Sequence, residues 1–163
     1  TAITLMLRKE NAQPPFYEAL ATYFKEHNMT DPRPIDIREA VIEIRTNKLP
    51  DPKLVANNGS FFANPIITND ELFTIRQTYP MVTSWQVDDN HVKVSAAWLI
   101  EQVGYKDVHD GETGMATWAK QPLVLVNEHA KSTADLLTFK QKIIDAVRTK
   151  FGITLEQEPE LLP

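Results

Sequence analysis

The placement of proline is the tightest constraint this chain puts on its own folding. Proline has no amide N–H to give, fixes its own φ and pushes the preceding residue out of the helical region. Helix interiors and central strands must therefore fall between prolines. The sequence carries 11 of them, most at junctions: Pro14-Pro15, Pro32, Pro34, Pro50, Pro52, Pro65, Pro80, Pro122 and Pro159. They cut the chain into short elements without marking a linker.

Periodicity assigns the pieces. "PPFYEALATYFKEHN" (14–28) predicts a helix with Phe16, Leu20, Tyr23 and Phe24 on one face and Pro15 in its first turn. "DIREAVIEIRTNK" (36–48) predicts a second, with Asp36 as N-cap and Ile37, Ala40, Val41 and Ile44 inward. "TNDELFTIRQTY" (68–79) opens with Thr68 and Glu71 in capping-box spacing and should bury Leu72, Ile75 and Tyr79. "HVKVS" (91–95) reads as a strand running into a helix capped by Ser95 and ended by Gly104. The apolar run "PLVLVN" (122–127) is suited to the centre of a sheet. The strongest helix spans 132–152, with a Ser132/Asp135 cap, an inward face of Leu136, Phe139, Ile143 and Val147, and Gly152 as its stop. "ITLEQE" (153–158) alternates like a last strand. Elements in this mixture predict an α+β fold: a small, mostly antiparallel sheet with helices packed on one side.

At 163 residues, 42% hydrophobic and 24% charged, the chain has the means for one sizeable core. A net charge of −5 gives no electrostatic support to binding nucleic acid or an acidic membrane surface. With no cysteine, disulfides and thiolate metal sites are excluded, and a reducing cytosol is compatible. No apolar run approaches the ~18 residues of a membrane span. "AITLMLR" (2–8) alternates like a strand already under way, from a longer chain or from processing or tagging.

Cofactor motifs are missing. His27, His91, His109 and His129 lack the spacing that presents two imidazoles to one ion, so no metal is expected. The five glycines form neither a P-loop nor a dinucleotide fingerprint, and Gly59-Ser60-Phe61-Phe62 has no second glycine for a nucleophile elbow. What remains is a set of polar residues at element ends: Lys48, Ser60, Asn64, Lys93, Gln121 and Glu158. Two ammonium groups, amides and a hydroxyl suit a phosphorylated, hydroxyl-rich ligand. Each residue also has a plainer reading. Lys48 complements a helix dipole, Ser60 and Asn64 are turn residues around "NNGSFFANPII", and Glu158 is an exposed acid.

Four blocks narrow the choice: "RTNKLPDPK…NNGSFFANPII", "VKVSAAWLIEQVGYK", "QPLVLVNEHAKSTADLL" and "FGITLEQE". In this order they resemble the C-terminal, substrate-binding domain of the UDP-N-acetylenolpyruvoylglucosamine reductase (MurB) family, flavoenzymes of peptidoglycan precursor synthesis. The similarity runs from about Ile3 to Glu158. It implies that residues 1–10 end a preceding FAD-binding domain or connecting strand and that 11–163 form the UDP-sugar domain. Ser60 looks like the family's general acid and Glu158 like its partner carboxylate. Lys48, Asn64, Lys93 and Gln121 match positions that contact the UDP-sugar, and Trp85 falls where the family can place a ring near the nucleotide.

By the same resemblance, the whole enzyme uses FAD and NADPH in the cytoplasm to reduce UDP-N-acetylglucosamine enolpyruvate, and this chain alone binds without reducing. The chain's partners would be that substrate and the enzyme's own FAD-binding domain. A carboxylate beside developing negative charge repels it unless protonated or bridged, so Glu158 is expected to act in its protonated form. The family's glycine-rich flavin loops and a catalytic arginine should precede Thr1. Trp118 stands near a position where relatives often carry histidine, and Ala63 follows "GSFF" where a basic residue is common. A stand-alone sugar-nucleotide-binding module and a ligand-free interaction domain are the competing readings. The polar set argues against the last.

Overall fold

Side-chain caps set the N-termini of the helices at 69–78, 96–102 and 133–151 in a computed structural model that describes residues 2–6 and 10–161. The chain forms two compact units, residues 1–48 and 49–163.

In the first unit, α1 (Glu18–Glu26) and α2 (Pro34–Lys48) bury Leu20, Phe24 and Ala40 between them. The Tyr23 hydroxyl donates to Glu43 at 2.8 Å across the pair. α1 starts three residues after Pro15, not on it, with Tyr17 in extended backbone as its N-cap. α2 starts two residues before Asp36, on Pro34, whose fixed φ suits a first turn. Asp36 serves from inside the helix, accepting from the Arg33 backbone N–H at 2.9 Å and from its guanidinium at 2.8 and 2.9 Å. Those bonds hold its carboxyl down at about 2. Ala2–Met6 lie in no strand, with Ile3, Leu5 and Met6 exposed, while Leu7 and Arg8 of the expected strand fall outside the described residues.

The second unit carries two small antiparallel sheets, not one. β1 (Asn57–Ser60), β7 (Gln121–Asn127), β6 (Met115–Trp118) and β5 (His109–Asp110) are neighbours in that order. β2 (Ile66–Thr68), β4 (His91–Val94) and β3 (Ser84–Gln86) make the other. β7 is interior, as its apolar run requires. Leu123 and Leu125 face the main core, and Val124 and Val126 face a second cluster with Ala116, Leu49 and Val55. α3 (Asn69–Thr78) has the Thr68/Glu71 capping box and packs on β2 and β4. α4 (Ala96–Gln102), capped by Ser95, packs on β7, and α5 (Thr133–Phe151) packs on β6. α5 begins with the Ser132/Asp135 box and stops at Gly152. The main core takes Phe139, Ile143 and Val147 from α5 and Leu99 and Ile100 from α4.

"ITLEQE" is not a strand. Ile153 and Leu155 are buried anchors, and only an isolated bridge, Phe62 with Gln157, follows. Its neighbour is an irregular segment that ends in Pro65, where no ladder can continue.

A tight turn links β5 to β6. Gly114 sits there at φ +68, and a Cβ on it would come within 2.6 Å of Ala130 N and His129 C, so only glycine fits. Asp110 organises the turn, accepting from the Glu112 and Thr113 backbone N–H groups and, at 2.7 Å, from Lys142 of α5. The Lys142 ammonium is the main cause that holds the Asp110 carboxyl below its ordinary value of 3.8, and Lys142 is raised in turn, first by Asp110 and then by Glu112. A carboxyl lowered in the folded state stabilises above its ordinary pKa and loses that contribution as pH falls through the lowered one. Thermal melts of the chain and of Asp110→Asn should therefore differ by a constant gap at neutral pH, closing as acid is added below about pH 4. A gap unchanged down to pH 2.5 would contradict the assigned role of this pair.

Candidate functional site

"NNGS", expected as a polar turn, is β1, and it carries its irregularity inside the strand. The Asn57 side chain makes the local turn: its Oδ1 accepts from Gly59 N at 3.0 Å while its Nδ2 donates to Val55 O at 2.8 Å. Gly59 takes φ +76, and the register shifts between Asn57, opposite Val126, and Ser60, opposite Val124. That bulge delivers Ser60 to the strand's end with its side chain exposed.

Next come the two rings. Phe61 and Phe62 are 2% and 1% exposed, pack edge to face at 5.2 Å and belong to the main core. The backbone between them is bonded on both sides. Phe61 N donates to Leu123 O at 2.8 Å, Glu158 N donates to Phe61 O at 2.9 Å, and Ala63 N donates to Glu156 O at 2.9 Å. The chain after Ser60 thus runs between β7 and the 156–158 segment. Glu158 is bonded through its backbone to Phe61, the residue that follows Ser60, and its side chain is exposed.

Asn64 lies on the same run and already has a structural task. Its Oδ1 accepts from Ala96 N, the first residue of α4, at 2.9 Å. That leaves the Asn64 NH2 group and the second lone pair of Oδ1 for a ligand. Gln121 begins β7, paired with Trp118, at the sheet end toward which residues 61–63 run. Ser60 and Gln121 thus lie toward the same end of the β1–β7 pair, Asn64 follows on the run of chain that leaves it, and Glu158 is bonded to that run at Phe61.

Lys93 and Trp85 form a second group. They are direct cross-strand partners, and Ile66 is the partner of Lys93 on its other side. All three side chains are exposed, with Trp85 at 51% and Ile66 at 56%. Ile66 follows Asn64 by two residues, and Val94 N donates to Pro65 O at 2.9 Å, so the two groups share one continuous segment. The β3–β4 turn beside them is held by Asp88, whose carboxyl is lowered chiefly by the Asn90 backbone N–H and then by the His91 side chain. Lys48 belongs to the other unit, exposed in the last turn of α2.

Two further residues bear on the site and escaped the sequence reading. Lys140 Nζ donates to Gln157 Oε1 at 2.8 Å, and Gln157 Nε2 donates to Pro159 O at 2.8 Å. A pair 17 positions apart, on a helix and a loop, leaves no periodic signal. Among the described residues no group of three or more acids or histidines could hold a metal ion, and no helix is long and apolar enough to cross a membrane.

A family model described as UDP-N-acetylenolpyruvoylglucosamine reductase, C-terminal domain, matches residues 51–162. The chain belongs to that family. Proteins carrying the reductase's name are similar along most of it. That of Pseudomonas syringae pv. syringae is 43% identical over 136 residues, 83% of this chain and 40% of the relative. That of Porphyromonas gingivalis is 43% identical over 142 residues, 87% and 41% respectively. That of Alcanivorax borkumensis is 38% identical over 163 residues, 100% and 46%. The chain therefore spans less than half the length of these relatives. The reductase-domain match takes in Ser60, Asn64, Trp85, Lys93, Gln121 and Glu158, while Lys48 precedes it.

The Asn64 cap is open to a direct check. Asn64→Ala removes the acceptor of Ala96 N and should cost about 1 kcal/mol of stability, whereas Asn64→Asp keeps an acceptor there. Chemical denaturation of the three proteins measures both.

Proposed function

We propose that this chain is the substrate-binding domain of a UDP-N-acetylenolpyruvoylglucosamine reductase of peptidoglycan synthesis. The observation that carries the proposal is the bond from Glu158 N to Phe61 O, which puts a carboxylic acid and the exposed Ser60 hydroxyl on adjacent backbone. Family membership supports the same reading.

The flavin is not held by this chain on this reading. Of its five glycines, Gly59, Gly104, Gly114 and Gly152 occupy positive-φ turn, bulge or cap positions, and none belongs to a glycine-rich loop that would cradle a diphosphate. In the whole, cytoplasmic enzyme FAD, recharged by NADPH, would supply the hydride, and no residue of this chain is assigned to holding it.

The substrate is UDP-N-acetylglucosamine enolpyruvate. Asn64, Gln121, Lys93 and Lys48 bind its UDP-sugar, the ammonium groups as counter-charges to phosphate and the amides as partners for hydroxyls. Trp85 offers a ring beside Lys93 for the nucleotide. When the enolpyruvyl methylene carbon gains hydride, negative charge gathers on the adjacent carbon and its carboxylate. Ser60 gives that carbon a proton. A serine hydroxyl is a weak acid, and it serves because the carbanion is strongly basic and the bound substrate is held against the hydroxyl. Glu158 is assigned as the partner carboxyl group that assists the enol-like intermediate. Residues 1–10 are assigned to the end of the preceding domain or the connection to it, and residues 11–163 to the substrate domain. The chain alone binds the substrate and does not reduce it.

Stopped-flow absorbance separates the two halves of the reaction. In the full-length enzyme, Ser60→Ala should leave flavin reduction by NADPH unchanged and slow reoxidation by substrate about 10²–10⁴-fold, the usual worth of a general acid. Unchanged reoxidation would exclude Ser60 as the acid.

A further inference from the structure

The segment that presents Glu158 is lightly held. Its backbone pairing with residues 61–63 is one isolated bridge, made by two hydrogen bonds. After the buried Leu155, Glu156 and Glu158 are exposed and Gln157 and Pro159 half-buried. Pairing so short, with so little apolar burial beyond Leu155, opens readily. A group that must meet one carbon of a bound substrate cannot depend on such a segment, since a displacement of about 1 Å costs on the order of 10²-fold in rate.

One side-chain relay braces it. Lys140 projects from α5, one residue after the fully buried Phe139, and donates to the Gln157 carbonyl at 2.8 Å. The Gln157 NH2 group donates to Pro159 O at 2.8 Å. The amide is therefore tied at one end to a 19-residue helix and at the other to the backbone just past Glu158. Glu158 lies between the two residues that this amide connects. The amide's neutrality matters as well. A carboxylate at 157 would accept from Lys140 equally well, but it would place a third negative charge between Glu156 and Glu158 and would lose the donor to Pro159 O.

We infer that Lys140 and Gln157 are positioning residues for Glu158: through this relay α5 fixes the backbone on both sides of Glu158, from which its carboxyl reaches the site assigned with Ser60. The inference rests on the assignment of Ser60 and Glu158 to one site.

The test uses the full-length reductase that contains this chain, with flavin reoxidation by UDP-N-acetylglucosamine enolpyruvate as the readout. Lys140→Met and Gln157→Leu should leave flavin reduction by NADPH unchanged and slow reoxidation about tenfold to a hundredfold. Lys140→Arg, which keeps a donor, should recover most of the rate. Combined with Glu158→Gln, Lys140→Met should add no further slowing, because its effect passes through Glu158. Amide hydrogen exchange gives a readout independent of turnover: Lys140→Met should speed exchange at Ala63 and Glu158 and leave the interior of α5 unchanged. Normal reoxidation in Lys140→Met and Gln157→Leu, alongside slow reoxidation in Glu158→Gln, would overturn the brace and leave the site assignment standing. Equal slowing by Lys140→Met with and without Glu158→Gln would also overturn it. Normal reoxidation in Glu158→Gln itself would remove the site assignment, and the inference with it.

Discussion

Phe61 is bonded in two directions, and the candidate site depends on it. Its N–H reaches Leu123 O in the interior strand of one sheet, and its C=O receives Glu158 N from the segment after the longest helix. Residues about a hundred positions apart in sequence thereby become neighbours. The ring of Phe61 and that of Phe62 hold this backbone in place. Truncating either buried phenylalanine costs on the order of 3–5 kcal/mol, far more than the few exposed polar groups around it could supply. The chemistry proposed for Ser60 and Glu158 thus depends on hydrophobic burial one residue away.

The same run of chain links the two sheets. Residues 57–60 pair with β7, 61–63 with the terminal segment, and 66–68 with β4, all within a dozen positions. Asn64, in the middle, caps α4. A single irregular stretch therefore sets the relation between the Ser60 edge and the exposed row of Ile66, Lys93 and Trp85. Irregular backbone is costly to hold, and here two buried rings and a cap hold it.

Much of this was legible in the chain itself, for identifiable reasons. Thr68/Glu71, Ser95 and Ser132/Asp135 are local signals, read and satisfied within three residues, so α3, α4 and α5 begin where they should. β7 announced itself because both its faces are buried. β3, β5 and β6 did not: they are two to four residues long and owe their existence to a partner strand, which a local reading cannot see. "ITLEQE" misled for the complementary reason, since alternation describes a face but not a neighbour. Ser60 and Asn64 were legible as residues of interest only through the blocks around them, and the structure adds what those blocks could not, namely that the Asn64 carbonyl caps a helix. The link from Lys140 to Gln157 had no local trace at all.

The central claim is that Ser60, Asn64, Gln121 and Glu158, with Lys93 and Trp85 joined to them through the pairing of Lys93 with Ile66, address one ligand. Titrating the isotopically labelled chain with UDP-N-acetylglucosamine enolpyruvate and following backbone amide shifts tests it most directly. Shifts that move together at residues 60–64, 93, 121 and 158, along one saturation curve, are the predicted result. No shifts at millimolar ligand in the folded chain, or shifts confined to other surfaces, would contradict it.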